Sequence, residues 1–258
     1  MARVLSALAL LPLVIGTIWF LPPLATLVLA EVVLLLAFRE YAALAAAYGA
    51  RLFGGVTMIG VAATAAAVAF DVTVVVLMAS VLTIGIVSLA TDRRGLPMLL
   101  DVGSSLFPIL YLGLPIGALV AVRLSAGREA VLLLLATIMV SDTAQYYGGR
   151  WLGRTPLAPA ISPKKTVEGA LFGLVAGTAL MLAIGVPGLE QSTIPERAVF
   201  GVAIVGLGIA GDLFESQLKR GAGVKDASGL IPGHGGVLDR IDSLLFAAPG
   251  FYLFLQLA

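Results

Sequence analysis

Cysteine is absent from this chain, and histidine occurs once in its 258 residues. Disulfide bonds and thiolate metal sites are therefore excluded, while the redox compartment stays undetermined. Charge is also scarce, because only 12% of the residues are charged, whereas a soluble domain carries about 25%. With 60% hydrophobic residues and a mean hydropathy of +1.06, too little polar surface remains to cover a water-exposed globule. The sequence predicts a protein whose solvent is lipid.

Several other features are missing from the sequence. The net charge of +1 sums two nearly equal populations, so it gives no reason to expect a nucleic-acid partner. The P-loop pattern GxxxxGK[ST] does not occur, so no ATPase of that class is indicated. No repeat of fixed period and no low-complexity linker divides the chain. We therefore predict a single membrane domain over residues 1–258.

Long apolar runs are what the sequence has instead. A membrane-spanning helix needs roughly 20 mostly apolar residues. Nine stretches fit this description, namely 4–20, 24–47, 54–70, 72–90, 98–122, 129–148, 166–186, 197–216 and 240–257. The first begins like a secretory signal, but no convincing cleavage site follows, so we expect it to be retained. The sequence predicts an all-α, polytopic bundle of about nine transmembrane helices.

Lys and Arg residues are distributed unevenly between the predicted loops. With the N-terminus in the cytoplasm, only Arg123, Arg128 and Arg197 of the 16 cationic residues lie outside. Cytoplasmic loops of membrane proteins carry such an excess of Lys and Arg. The asymmetry predicts a cytoplasmic N-terminus, and it places loops 149–165 and 216–242 on the cytoplasmic side.

Acidic residues gather near the predicted cytoplasmic ends of the last four spans. They are Asp142, Glu168, Asp212, Glu215, Asp239 and Asp242. An Asp within a span costs about 2.5–3.5 kcal/mol on an insertion scale and usually marks function. An oxygen-only ligand set, with no Cys and one His, favours a hard cation such as Mg²⁺ over zinc. The alternative is that each acid merely pairs with a nearby cation at the membrane surface.

Two basic segments accompany these acids. In SPKKTVEG, residues 162–169, Lys164 and Lys165 stand just before a predicted helix. Free amides at a helix start, with lysines beside them, suit a phosphate, although a positive-inside anchor would look the same. Residues 216–242 read SQLKRGAGVKDASGLIPGHGGVLDRID, and their glycines let the backbone approach a ligand closely. This mixture of cations and carboxylates indicates chemistry on a metal-bound polyphosphate, with a flexible basic loop as the alternative.

The 27 residues from 216 to 242 resemble the pattern of phosphatidate cytidylyltransferase, also called CDP-diacylglycerol synthase. SPKKTVEG and SDTAQYYGGR, which begins at residue 141, resemble two further blocks of that family. The resemblance implies the reaction of CTP with phosphatidic acid, giving CDP-diacylglycerol and pyrophosphate. It also implies a multi-pass enzyme of the cell's inner membrane, with its active site facing the cytoplasm.

Single residues receive roles from this resemblance. We expect catalytic roles for Asp212, Asp239, Lys219 and Arg220. The expected metal ligands are Asp142, Asp212, Asp239 and Asp242. The residues expected to bind substrates are Ser162, Lys164, Lys165, Thr166, Glu168, Lys225, Asp226, His234 and Arg240. His234 is equally suited to holding the loop by hydrogen bonds.

The same resemblance implies cofactors and partners. Mg²⁺ is the expected cofactor, and a second ion such as K⁺ stays open. The expected partners are CTP, phosphatidic acid, the bilayer and a second copy of the chain in a homodimer. Residues 1–125 would form a scaffold or interface, and residues 126–258 would supply the catalytic helices and loops.

Two other functions stay open. One is a CTP-dependent enzyme acting on an isoprenoid-type lipid, either a kinase or a cytidylyltransferase. The other is an ion-coupled transporter, whose acids would bind the coupling ion. Transporter sites usually lie near the midplane between repeated halves, whereas here the polar residues collect on one side and no repeat is evident. The CDP-alcohol phosphotransferase motif is absent, which argues against a headgroup transferase.

Overall fold

Helices make up nearly the whole fold. The computed structural model describes residues 2–188 and 191–257, with side chains for all of these except residues 2–5 and 7. The helices are α1 Ala2–Phe20, α2 Pro23–Ala47, α3 Gly54–Ala69, α4 Thr73–Ser88, α5 Leu96–Pro108, α6 Leu114–Ser125, α7 Gly127–Leu152, α8 Val167–Ile184, α9 Ile194–Gly221, α10 Leu238–Ile241 and α11 Leu244–Leu257. A π-helical turn, Ile109–Gly113, joins α5 to α6. Strands β1 Pro156–Ala158 and β2 Ser162–Thr166 pair antiparallel between α7 and α8.

Helices occur in all nine predicted stretches, as expected for an all-α membrane protein. Among the described residues, four helical segments are long and apolar enough to cross a membrane, namely Leu96–Ser125, Gly127–Leu152, Val167–Ile184 and Ile194–Gly221. Shorter apolar helices are Leu8–Phe20, Gly54–Ala69 and Thr73–Ser88. The two-stranded sheet is an addition to the predicted all-α class, because the short segment around Lys164 was expected to be a loop.

The chain divides into two compact units. One consists of Met1–Ala121 with Leu218–Arg240, and the other of Val122–Gln217 with Ile241–Ala258. The segment between α9 and α10, residues 222–237, is called the glycine-rich loop below, and it belongs to the first unit. The predicted separation of a scaffold from a catalytic part at residue 125 stays a prediction.

Proline shapes the end of α5 in the first unit. Pro108 has no N–H group to donate to the carbonyl of Ser104, four residues earlier. That carbonyl accepts a hydrogen bond from the Tyr41 hydroxyl of α2 instead, at 2.9 Å. The π-helical turn follows directly, and a second proline, Pro115, stands just beyond it. The two prolines thus explain why the backbone hydrogen bonds depart from the α-helical pattern here.

A buried acid in the first unit has a structural explanation. Asp101, which lies outside the predicted acid group, is only 2% exposed. Its carboxylate accepts hydrogen bonds from the Arg93 guanidinium at 2.8 Å and the Arg51 amide at 2.7 Å. These contacts tie together the segments that follow α2 and α4.

In the second unit, α7 and α8 pack closely because α8 carries glycine at every fourth position. The residues are Gly169, Gly173 and Gly177. A Cβ atom on Gly169 would lie 2.7 Å from the carbonyl oxygen of Gln145 on α7. Small residues at this spacing let two membrane helices approach each other closely. This packing holds the start of α8 against α7.

Candidate functional site

The segment that resembles the SPKKTVEG block forms β2 and the first turn of α8. The predicted helix start is confirmed, since α8 begins at Val167 and the Thr166 hydroxyl accepts a hydrogen bond from the Gly169 amide at 3.1 Å. Such an N-cap stabilises a helix start. Glu168 turns back and accepts hydrogen bonds from the amides of Arg154 and Thr155, at 3.1 and 3.2 Å. Thr166 and Glu168 therefore shape this segment locally.

The other predicted binding residues of this segment lie on β2. Ser162 is half-buried and Lys164 is exposed. Lys165 forms an ion pair with Asp212 of α9, and both side chains are about a quarter exposed, at 22% and 27%. The structure therefore joins two residues that the sequence analysis assigned separately, one to substrate and one to metal.

Three of the four predicted metal ligands belong to the second unit. Asp242, between α10 and α11, lies within electrostatic range of Asp212, Glu215 and Asp142. We call these four carboxylates the acid cluster. Glu215 is fully buried; it belongs to the predicted acidic group but has no predicted role. Close negative charges repel one another, so a bound cation would stabilise the cluster.

The acid cluster fits a hard cation by the chemistry of its donors. Carboxylate oxygens are preferred ligands of Mg²⁺. Across residues 2–188 and 191–257, however, no three His, Cys, Asp or Glu side chains lie close enough together to hold an ion. Asp212 contacts Lys165 in this arrangement. The cluster therefore has the ligand type of a magnesium site, but its carboxylates do not lie close enough together to hold the ion in this arrangement.

The fourth predicted ligand, Asp239, belongs to the first unit and has different partners. Its Oδ1 atom lies 2.5 Å from the Lys219 ammonium, and its Oδ2 atom accepts hydrogen bonds from the amides of Ala227 and Gly236 at 3.0 and 2.7 Å. Both Lys219 and Asp239 are buried, at 8% and 9% exposure. Burial acts to raise the pKa of Asp239, but the Lys219 ammonium and the two amides lower it overall. The pair thus neutralises two buried charges and holds both ends of the glycine-rich loop.

A tight turn lies within the glycine-rich loop. The Ile231 amide donates to the carbonyl of Gly235 at 2.8 Å. Gly235 has φ +78°, and a Cβ atom there would lie 2.6 Å from Asp239 Oδ2, so glycine is required both by conformation and by space. His234 Nδ1 lies 2.7 Å from the Ser6 hydroxyl of α1. This contact favours the alternative in which His234 holds the loop.

The remaining predicted residues of this region lie on the surface of the protein. Arg220 is exposed, and its guanidinium donates to the carbonyl of Val224 at 3.1 Å. Lys225, Asp226 and Arg240 are also exposed. These groups can reach a ligand without the cost of uncovering a buried charge.

One residue of this region was missed by the sequence analysis. Glu40 of α2 is 5% exposed and contacts the glycine-rich loop. A cavity of about 330 Å³ lies beside it, lined by Leu36, Arg39, Glu40, Ala43, Ala227, Ser228 and Leu230. The signal that could have identified Glu40 is its place inside an apolar span, since an acid is costly there.

Comparison with known proteins identifies the family. The sequence matches the Cytidylyltransferase family over residues 1–258. The chain belongs to the cytidylyltransferase family. The family predicted from the sequence is thereby confirmed.

Curated relatives of this cytidylyltransferase-family chain carry a more specific name. The phosphatidate cytidylyltransferase of Helicobacter pylori is 41% identical over 151 residues, which are 58% of this chain and 56% of the relative. The one from Synechocystis is 47% identical over 135 residues, or 51% of this chain and 44% of the relative. The one from Haemophilus influenzae is 44% identical over 134 residues, or 50% and 46%. The chain thus spans about half the length of the curated relatives it matches.

Proposed function

We propose that this protein is a phosphatidate cytidylyltransferase, which converts CTP and phosphatidic acid to CDP-diacylglycerol and pyrophosphate in phospholipid biosynthesis. The observation that carries the proposal is the acid cluster with Lys165, in a chain of apolar helices that belongs to the cytidylyltransferase family. Carboxylates for a cation and a lysine for phosphate are what transfer from a nucleoside triphosphate requires. The names of the relatives supply the lipid substrate.

The proposed reaction needs no general base. A phosphate oxygen of phosphatidic acid attacks the α-phosphorus of CTP and forms a new P–O bond. The bond from the α-phosphorus to the oxygen that bridges it to the β-phosphorus breaks, and pyrophosphate leaves with the bonding electrons. Because the attacking oxygen is already anionic at neutral pH, the protein has to align the groups and neutralise charge.

The proposed metal ligands are Asp142, Asp212 and Asp242, with Asp239 as the fourth member of the predicted set. Mg²⁺ bound there would neutralise negative charge on the triphosphate and on the leaving pyrophosphate. For Asp212 to bind the ion, it would exchange its contact with Lys165, which would free that ammonium for a phosphate. We extend the proposal to a second ion such as K⁺, which the ion dependence of the transfer reaction would test.

Phosphate binding is proposed for the basic residues. Those with exposed side chains are Lys164, Arg220, Lys225 and Arg240. Charge-assisted hydrogen bonds from such cations to phosphate are stronger than neutral ones. Asp226, next to Lys225 in the chain, would orient that lysine or touch the nucleotide, and Ser162 would contribute its hydroxyl.

Placement in the membrane forms part of the same proposal. We propose nine transmembrane helices, a cytoplasmic N-terminus and an active site that faces the cytoplasm, in the cell's inner membrane. Support comes from helices in all nine apolar stretches and from the uneven distribution of Lys and Arg. A cytoplasmic site also suits CTP, which is a cytosolic anion. The homodimer stays a proposal that rests on the family.

The direct test uses detergent-purified full-length protein with labelled CTP, phosphatidic acid and Mg²⁺. We expect labelled CDP-diacylglycerol, and no product when phosphatidic acid is replaced by diacylglycerol, which lacks the attacking phosphate. A parallel reaction contains an isoprenoid-type lipid. Product from the isoprenoid lipid alone, under varied lipid and ion conditions, would replace this proposal by the isoprenoid alternative.

A further inference from the structure

Glu40 of α2 binds the middle of the glycine-rich loop and its C-terminal end. Its Oε1 atom accepts hydrogen bonds from the Ser228 hydroxyl at 2.6 Å and the Val237 amide at 2.9 Å. Its Oε2 atom accepts one from the Leu238 amide at 2.7 Å. These three donors lie between 188 and 198 residues away along the chain. A single carboxylate of the first unit therefore joins the middle of the loop to its C-terminal end.

The burial of Glu40 makes these contacts costly to lose. The residue is 5% exposed, and Val237 and Leu238 are 8% and 0% exposed. Buried backbone N–H groups need an acceptor, and here the acceptor is a side chain of a different helix. Removing the carboxylate would leave two buried amides and one hydroxyl without their hydrogen-bond acceptor. Losing a hydrogen bond to a charged group costs more stability than losing one between neutral groups.

The backbone fits closely around this carboxylate. A Cβ atom on Gly236 would lie 2.5 Å from Glu40 Oε2 and 2.6 Å from Oε1. Real Cβ atoms do not approach oxygens so closely, so any larger residue at 236 would have to displace Glu40 or the loop. The φ angle of Gly236 is not in the left-handed region, so the backbone conformation does not require glycine there. The space taken by the Glu40 carboxylate does.

Glu40 and Asp239 bind neighbouring parts of the same backbone. The amide of Gly236 donates to Asp239, and the next two amides, of Val237 and Leu238, donate to Glu40. In the middle of the loop, the Ala227 amide donates to Asp239 and the Ser228 hydroxyl donates to Glu40. The position of the Lys219–Asp239 pair therefore depends on backbone that Glu40 holds.

We infer that Glu40 is a positioning residue for cytidylyl transfer, which fixes the glycine-rich loop so that its cations and the Lys219–Asp239 pair are in place for CTP. The effect of Glu40 on catalysis rests on the proposed function. The anchoring of the loop by Glu40 does not, because it follows from the hydrogen bonds alone. The inference assigns a role in the reaction to a residue of the part predicted to be scaffold.

The test compares Glu40→Ala and Glu40→Gln with Glu31→Gln in the full-length protein. Glu31 lies on the same helix and is half-buried, but among the described contacts none joins it to the loop, so it controls for loss of an acid from α2. Backbone hydrogen exchange is measured for residues 226–240, and kcat and KM for CTP are measured with phosphatidic acid. These two readouts separate anchoring from catalysis.

We expect exchange in Glu40→Ala to be at least about tenfold faster at the amides of 236–238, with a rise of similar size in KM for CTP. Glu40→Gln should be intermediate, because its amide oxygen can accept from Ser228 and Val237 while its NH₂ group faces the Leu238 amide. A purely structural role would reduce the active fraction, and so kcat, without raising KM for CTP. Glu31→Gln should behave as wild type in both measurements.

Unchanged exchange in Glu40→Ala would overturn the inference, and so would faster exchange with unchanged KM for CTP. If Glu40→Ala does not fold, Ser228→Ala replaces it, since it removes only one of the three hydrogen bonds and should give a smaller effect in the same direction. Absence of cytidylyl transfer in the wild type would count against the proposed function alone, because the exchange measurement still reports on the anchor.

Discussion

At the scale of single residues, Asp212 and Asp239 illustrate two environments for a carboxylate. The side chain of Asp212 is 27% exposed and contacts Lys165. Asp239 has a side chain that is 5% exposed, and Lys219 and two amides bind its oxygens. A partly exposed ion pair is cheap to rearrange, whereas a buried one is costly to break. We therefore expect Asp212 substitutions to affect chemistry first and Asp239 substitutions to affect loop structure as well.

Asp212→Asn should lower kcat by about 100-fold or more, as expected when one charge of a preorganised site is removed. The asparagine keeps the size of the side chain but cannot supply a full negative charge to a cation. Glu129→Gln is the matched control, because Glu129 is exposed and pairs with its neighbour Arg128 on α7. Retention of near-wild-type transfer in purified, folded Asp212→Asn would contradict the metal assignment.

The glycine-rich loop should lose stability in acid through Asp239. The pKa of Asp239 is below its ordinary value of 3.8, so its contribution is fully present above that pH and is lost as pH falls through the lowered pKa. The rate at which pepsin cleaves the loop reports its local stability. We compare this rate between wild type and Asp239→Asn at each pH from about 2 to 5. The variant should be cleaved faster than wild type near pH 5, and the difference should shrink towards pH 2. An equal difference at every pH would show that Asp239 does not supply the pH dependence.

At the scale of elements, the helices could be predicted and their irregular joints could not. Apolar runs and Pro, Gly or charged breaks are local signals, so the nine stretches match helices within a few residues. Strands β1 and β2 pair across a turn. The few residues around Lys164 are too short a stretch to show the alternation of apolar and polar residues that predicts a strand. The π-helical turn lies between Pro108 and Pro115, and single prolines in apolar runs predict a kink without its form.

Packing of α7 on α8 gives a prediction about stability. Gly169→Ala would place a methyl group 2.7 Å from the Gln145 carbonyl and 3.1 Å from Gly149 Cα, both of which are backbone atoms. We expect a loss of about 1–3 kcal/mol from overpacking. Gly206→Ala on α9 is the control, because nothing lies within 4 Å of its added Cβ, and alanine favours a helix over glycine. Thermal unfolding in detergent should therefore give a lower Tm for Gly169→Ala and an equal or higher Tm for Gly206→Ala. A Tm increase in both variants would refute close packing at Gly169.

At the scale of the whole molecule, the sequence supplied the family and the composition of the site but not its long-range contacts. The resemblance of residues 216–242 was specific enough to identify the family, which the match over residues 1–258 confirms. The hydrogen bond between Glu40 and Ser228 joins residues 188 positions apart. A single amino-acid sequence has no local pattern that would predict such a contact. For the same reason, the glycine-rich loop was grouped with the C-terminal half, although it belongs to the same unit as the N-terminal helices.

The proposed orientation can be tested by cysteine labelling, because the chain has no cysteine of its own. Gln191→Cys lies in a predicted outer loop and Ala160→Cys in a predicted inner loop, and both positions are exposed. A membrane-impermeant maleimide should label Gln191→Cys from the outer face and Ala160→Cys only in inverted vesicles. The reverse pattern would contradict the cytoplasmic N-terminus.

The central claim is that the protein transfers a cytidylyl group to a lipid phosphate, and the fate of two labels in CTP tests it most directly. Purified protein is incubated with phosphatidic acid, Mg²⁺ and CTP that is labelled at either the α- or the γ-phosphate. Cytidylyl transfer predicts that the α-label enters the lipid and that the γ-label is released as pyrophosphate. Entry of the γ-label into the lipid, with release of CDP, would show a kinase and contradict the account.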